Sequence, residues 1–139
     1  MTNPSKKPIR KDVLLDSDIL IKLVLGNKKV DSETKLLDLK TTYISQVSVL
    51  ELFHNADAKS FKAFEKLLTL IKQIPISEEL GNIGLSLLKG YPKKLKAADA
   101  LIAATARKYG LQLYTNNRKD FEGIGQISLY VPKTHTFPL

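Results

Sequence analysis

The stretch "VLLDSDILIKLV", Val13 to Val24, decides the fold. A short apolar run ends in two aspartates, Asp16 and Asp18, after which the apolar pattern resumes and closes at Gly26. "DVLLD" reads as a short buried strand and "DILIKLVLG" as a helix stopped by a glycine C-cap. Two like charges at such a junction cost free energy, so the fold must have a use for them.

Outward from this stretch the same alternation repeats. "DSETKLLDLK" predicts a more polar helix capped at Asp31 or Ser32, and "TTYISQ" a β-branched, aromatic strand. "SVLELFHNADAKSFKAFEKLLTLIKQ" predicts two helices broken near Asp57, and "IPIS" a third strand. Ser77 with Glu78 and Glu79 opens a helix running to about Leu88, and "LKAADALIAATARKYG" is an alanine-rich helix ended by Gly110. "LQLYT" and "ISLYV" are strands flanking the polar turn "NNRKDFEGIGQ". Strands alternating with helices predict an α/β domain with a mostly parallel sheet covered on both faces. We place a flexible basic arm at 1–11, one domain at 12–131 and a tail at 132–139.

The 139 residues suffice for one buried core, and 43% hydrophobic with 26% charged residues is a globular composition. No apolar run approaches the roughly 18 residues needed to cross a bilayer, and no apolar signal region follows the basic N-terminus, so a cytoplasmic protein is expected. Without cysteine there is no disulfide, thiolate metal site or thiol nucleophile. The net charge of +8 favours a polyanionic partner.

In open α/β sheets ligands bind beyond the carboxyl ends of the strands, and the acids converge there. Asp16 ends the first strand, and Asp18 falls at the start of the following helix, where it could equally serve as a cap. Glu51 opens the helix after the second strand, although Ser48-x-x-Glu51 also fits a capping box. Asp99 sits in the apolar helical run "KAADALIAATA", where a carboxylate needs a partner or a cation. Asn117 and Asp120, in "TNNRKDF", follow the fourth strand. Each has a local explanation; together they deliver hard oxygen ligands to one edge, the donor set of Mg²⁺ or Mn²⁺. His54 and His135 are too isolated to join them: we expect His54 on a helix surface and His135 in a loose tail. Such a cluster in a basic protein suggests phosphodiester chemistry by metal activation of water. Lys22, Lys93, Lys94, Lys96, Arg118 and Lys119 are the candidate cations for holding a nucleic-acid strand.

"VLLDSDILIKLVLG", "YISQVSVLELFHNA" and "ADALIAATARKYGLQLYTNNRKDF", in this order and spacing, closely resemble the PIN-domain ribonucleases, in particular VapC-like toxins of prokaryotic toxin–antitoxin pairs. The resemblance spans about Val13 to Val131. It implies a three-layer α/β/α sandwich, cleavage of RNA with Mg²⁺ or Mn²⁺, a homodimer, and inhibition by a VapB-like antitoxin. Carried over by position, the acidic site is Asp16, Glu51, Asp99 and Asn117, with Asp120 beside the last. Asp18 then supports the ligands from outside, and Ser17 and Thr115 bond ligands or waters. The arm at 1–11 has no counterpart in the resemblance.

Two other readings compete. "DSD" after an apolar strand mimics the nucleophile motif of haloacid-dehalogenase-type phosphatases, with Asp16 attacking phosphorus, but gives Glu51 and Asp99 no role. A non-catalytic RNA- or antitoxin-binding domain with vestigial acids is the third.

Overall fold

The computed structural model describes residues 12–91 and 95–139; the expected arm at 1–11 and the candidate cations Lys93 and Lys94 lie outside the described residues. Chain order gives β1 (Val13–Leu15), α1 (Ser17–Val24), α2 (Lys28–Leu36), β2 (Thr42–Ser45), α3 (Gln46–His54), α4 (Ala58–Leu68), β3 (Lys72–Ile74), α5 (Glu78–Gly90), α6 (Ala97–Tyr109), β4 (Gln112–Tyr114), α7 (Arg118–Phe121) and β5 (Ser128–Leu129). The sheet runs β3-β2-β1-β4-β5 and every pairing is parallel. The Asp16 amide donates to the Tyr114 carbonyl (3.0 Å), carrying the β1–β4 ladder one residue beyond the strand.

Side-chain alternation along the strands fills two cores. Leu14 and Leu113 face one side, where α5, α6 and α7 supply Leu80, Leu87, Ile102, Ala103 and Phe121. Val13, Leu15 and Tyr114 face the other, against Ile19, Leu20, Val30, Leu52 and Phe64 from α1 to α4. These two layers around a parallel sheet are the expected α/β/α sandwich. The buried alanines of α6 (Ala100, Ala103, Ala104 and Ala106) bring its backbone close to the sheet.

Several boundaries move. The third strand is Lys72–Ile74, not "IPIS": Pro75 has no N–H for a ladder, and Ile76 N donates instead to Gln46 Oε1 (3.1 Å). The second helix starts at Lys28, because Asn27 Oδ1 accepts from Lys29 N (3.0 Å) and Val30 N (3.1 Å). Asp31 lies in its first turn. The polar turn after β4 contains the short helix α7. The break near Asp57 is present, with Asp57 capping α4 through Ser60 N (2.8 Å).

The C-terminal segment is not a loose tail. Glu33, in the polar helix α2, is fully buried. It accepts from Lys133 N (2.9 Å), Thr134 N (2.8 Å), Thr134 Oγ1 (2.7 Å) and the Tyr130 hydroxyl. His135 shares a 2.7 Å hydrogen bond with the Tyr114 hydroxyl. Burial alone would raise the Glu33 pKa, but the bonds from Tyr130, Thr134 and Lys133 outweigh it and hold the carboxyl below its ordinary value. That stabilisation is present above the unfolded pKa of 4.5 and is lost as pH falls through the lower folded value. Glu33→Ala orphans two backbone donors and the Thr134 and Tyr130 hydroxyls. Urea denaturation at pH 7 should show a loss of about 3–5 kcal/mol; a loss under about 1 kcal/mol would mean that the segment is not anchored there.

Candidate active site

Where β1 meets α1 there is no loop. Asp16 occupies the N-cap of α1 and accepts from Ser17 N (2.8 Å) and Thr115 Oγ1 (2.8 Å), with only 6% of its surface exposed. Asp18, one residue into the helix, accepts from Asn116 N (3.0 Å) and more weakly from Thr115 Oγ1 (3.3 Å). Thr115 has one hydroxyl proton for two carboxylates, so one of them is always underserved. Asp18 Oδ1 is buried and has no hydrogen-bond partner.

This shortage shows in the protonation equilibria. Burial pushes Asp16 up to about 6, against the bonds from Thr115 and Ser17, and the charges of Glu51 and Asp99 push in the same direction. Asp18 is raised to about 7, by burial and then by the charge of Asp16. Glu51 is raised by burial, partly offset by the Ser17 hydroxyl that donates to it (3.2 Å), with Asp99 and Asp18 adding repulsion. Asp99 is raised by burial and then by Asp120. These groups therefore sense one another across β1, α3, α6 and α7, while Lys96, at the N-cap of α6, draws Glu51 and Asp99 the other way.

The capping box weighed as a competing role for Glu51, with Ser48, does not form. Ser45 caps α3 through Val47 N (3.2 Å), which leaves Ser48 inside the helix, its hydroxyl buried and unpaired, and Glu51 turned to Ser17 instead. Asn117 bonds Asp120 through its side-chain amide, and Asn117 N donates to Thr115 Oγ1 (3.0 Å). Among the described residues, no three His, Asp or Glu side chains already stand at the spacing of a metal's ligand sphere. Unneutralised carboxylates repel, so only a pull from a cation would draw them closer. Of the candidate cations, Lys96 and Lys119 are exposed, whereas Arg118 donates to the Tyr130 carbonyl (2.9 Å) and lies over the Phe137 ring. Asn116 escaped the sequence reading because it holds Asp18 through its backbone amide, which any residue could supply.

With this geometry in view, residues 13–126 match the PIN domain. The chain belongs to the PIN-domain family. Among solved structures, a toxin–antitoxin complex from Klebsiella pneumoniae is 30% identical, with a TM-score of 0.71 over 83% of this chain and 94% of that one. A DNA-bound VapBC from Salmonella typhimurium shares the fold at 18% identity, with a TM-score of 0.76 over 87% and 98% of the two chains. A sarcin–ricin-loop-cleaving VapC toxin of Mycobacterium tuberculosis does so at 14% identity, with a TM-score of 0.62 over 84% and 98%. A search of curated proteins by sequence finds no match. Membership of this family leaves the phosphatase reading of "DSD" without support, and the resemblance to VapC-like PIN domains stands. No helix among the described residues is long and apolar enough to cross a membrane.

The raised carboxyls of the PIN domain make its stability pH-dependent. A group whose folded pKa is raised favours folding below its unfolded value, 3.8 for aspartate, and that benefit is lost as pH rises through about 6 to 7. In EDTA, Asp18→Asn should therefore be more stable than wild type at pH 8 by on the order of 2 kcal/mol, the difference closing towards pH 4. Thermal melts across this range check it; a difference independent of pH would mean that Asp18 is not held out of its charged form.

Proposed function

We propose that this PIN domain is a Mg²⁺- or Mn²⁺-dependent endoribonuclease and the toxin of a toxin–antitoxin pair. One observation carries the reading: four carboxyls from β1, α1, α3 and α6 converge on one sheet edge, all pushed towards protonation by burial and mutual repulsion. Strongly perturbed carboxyls gathered in this way mark a functional site.

The residues fit a hard divalent cation. Every donor is oxygen, no thiolate or paired imidazole competes, and Asp18 presents a buried oxygen with no partner. Asp16, Glu51, Asp99 and Asn117 would hold the metal, with Asp120 able to share the place of Asn117. The ion would polarise a phosphoryl oxygen and lower the pKa of an attacking water. Ser17 and Thr115 fix the carboxylates of Glu51 and Asp16, as groups behind metal ligands do. Asp18 keeps Thr115 and the Asn116 backbone in register with them. Lys96 and Lys119 offer positive charge to the RNA backbone, with Lys93 and Lys94 as further candidates from the sequence.

The Klebsiella and Salmonella proteins are seen in toxin–antitoxin complexes, which supports a VapB-like antitoxin as the partner here. A homodimer working on RNA in the cytoplasm completes the reading.

Wild-type protein with Mn²⁺ should generate new, discrete 5′ ends in total RNA, mapped by sequencing. Asp16→Asn and Asp99→Asn should abolish them, and Asp18→Asn should slow cleavage roughly 10- to 100-fold. Equal cleavage by Asp16→Asn would assign the activity to another site, and absence of metal-dependent ends in wild type would favour a non-catalytic domain.

A further inference from the structure

Next to Asn117 lies a cleft of about 470 Å³ whose other lining groups, Arg118, Glu122, Phe137 and Pro138, have no part in the chemistry proposed for the acids. It is formed by the stretch after β4 and the C-terminal segment together. We propose that this cleft binds a nucleotide of single-stranded RNA next to the cut phosphate, its base stacked on the Arg118–Phe137 pair. The proposal rests on the ribonuclease reading and names a recognition site for that substrate.

The cleft is built, not incidental. The Arg118 guanidinium carbon lies 4.9 Å from the Phe137 ring centroid, and its Nη1 donates to the Tyr130 carbonyl (2.9 Å). Phe137 packs edge-on against His135 (5.1 Å) and Tyr114 (6.3 Å). Leu139 N donates to Asn116 Oδ1 (2.9 Å), and Glu33 anchors the segment upstream at Lys133 and Thr134. A guanidinium backed by an aromatic ring is a flat, fixed surface, and unpaired bases stack on such planes. Lys119 is exposed in the same lining, placed for a phosphate, and Glu122 supplies a polar group for a base edge. The volume is within the roughly 300–1,000 Å³ usual for small-ligand sites. Two residues of the cleft's lining touch acids: the Asn116 amide donates to Asp18, and the Asn117 side chain bonds Asp120. Phe137 lies beyond the residues 13–126 that match the family.

The test is binding without cleavage: full-length protein in EDTA with a fluorescein-labelled 12-nucleotide single-stranded RNA, and with the same sequence as a duplex. Phe137→Leu keeps apolar bulk and Arg118→Lys keeps charge. Each should weaken single-strand binding roughly 5- to 30-fold at a temperature where circular dichroism shows the variant folded, while Phe137→Trp binds at least as tightly as wild type. Lys119→Ala, on the surface, should lower the slope of log affinity against log salt by about one. Wild-type affinity for both leucine and lysine variants, or equal affinity for single strand and duplex, would overturn the subsite. Should Phe137→Leu misfold, Arg118→Lys and the duplex comparison still decide. With Mn²⁺ present, cleavage at unchanged KM in Phe137→Leu would sink the subsite and leave the ribonuclease reading intact. Selective strand binding without any cleavage would do the opposite.

Discussion

A carboxylate buried at the joint between a strand and a helix is the constraint on which this PIN domain depends. Asp16 continues the β1–β4 ladder with its backbone and caps α1 with its side chain, so its position is fixed by the two elements it connects. Parallel strands then bring α3, the first turn of α6 and the loop after β4 to the same edge. Ser17 ties α1 to Glu51 of α3, and Thr115 ties the loop after β4 to Asp16 and Asp18, but one threonine proton serves two carboxylates. Burying these charges, and then their mutual repulsion, opposes folding by about a few kcal/mol, a sizeable part of the roughly 5–15 kcal/mol by which a domain is usually stable. Two well-filled cores allow that cost, and a divalent cation would reverse its sign.

The chain treats two buried acids in opposite ways. Glu33 is given four donors from the C-terminal segment and stays ionised below the ordinary range. Asp16 and Asp18 compete for one hydroxyl and are pushed upward, Asp18 with an oxygen left bare. Burial is common to both; the supply of donors separates a carboxylate held ionised from carboxylates pushed towards protonation. The two are connected, because the segment anchored by Glu33 ends against Asn116, whose backbone amide holds Asp18.

What could be read in advance follows from range along the chain. Asp16, Asp18 and Asp99 lie at the end of a strand or in the first turn of a helix, where the pattern is local and strong. Glu51, expected to open its helix, stands instead in the second turn of α3, because that helix already starts at Gln46. The capping box at Ser48 failed because Ser45 ends β2 earlier and takes the cap first, which local spacing does not reveal. The strand placed at "IPIS" slipped because the edge position favours Lys72–Ile74, whose pairing with β2 stops before the proline. Glu33 looks like one polar residue among many in "DSETK"; its partners stand about a hundred positions away. For the same reason the order of the C-terminal segment, with His135 and Phe137 packed on Tyr114, was not legible from composition.

Calorimetric titration with Mn²⁺ at pH 7.5, in two buffers of different ionisation enthalpy, tests the central claim most directly. The account predicts saturable binding by wild type with release of protons from the raised carboxyls, and loss of that binding in Asp16→Asn. Wild-type protein that binds no Mn²⁺, or an Asp16→Asn variant that binds it equally well with the same proton release, would contradict it.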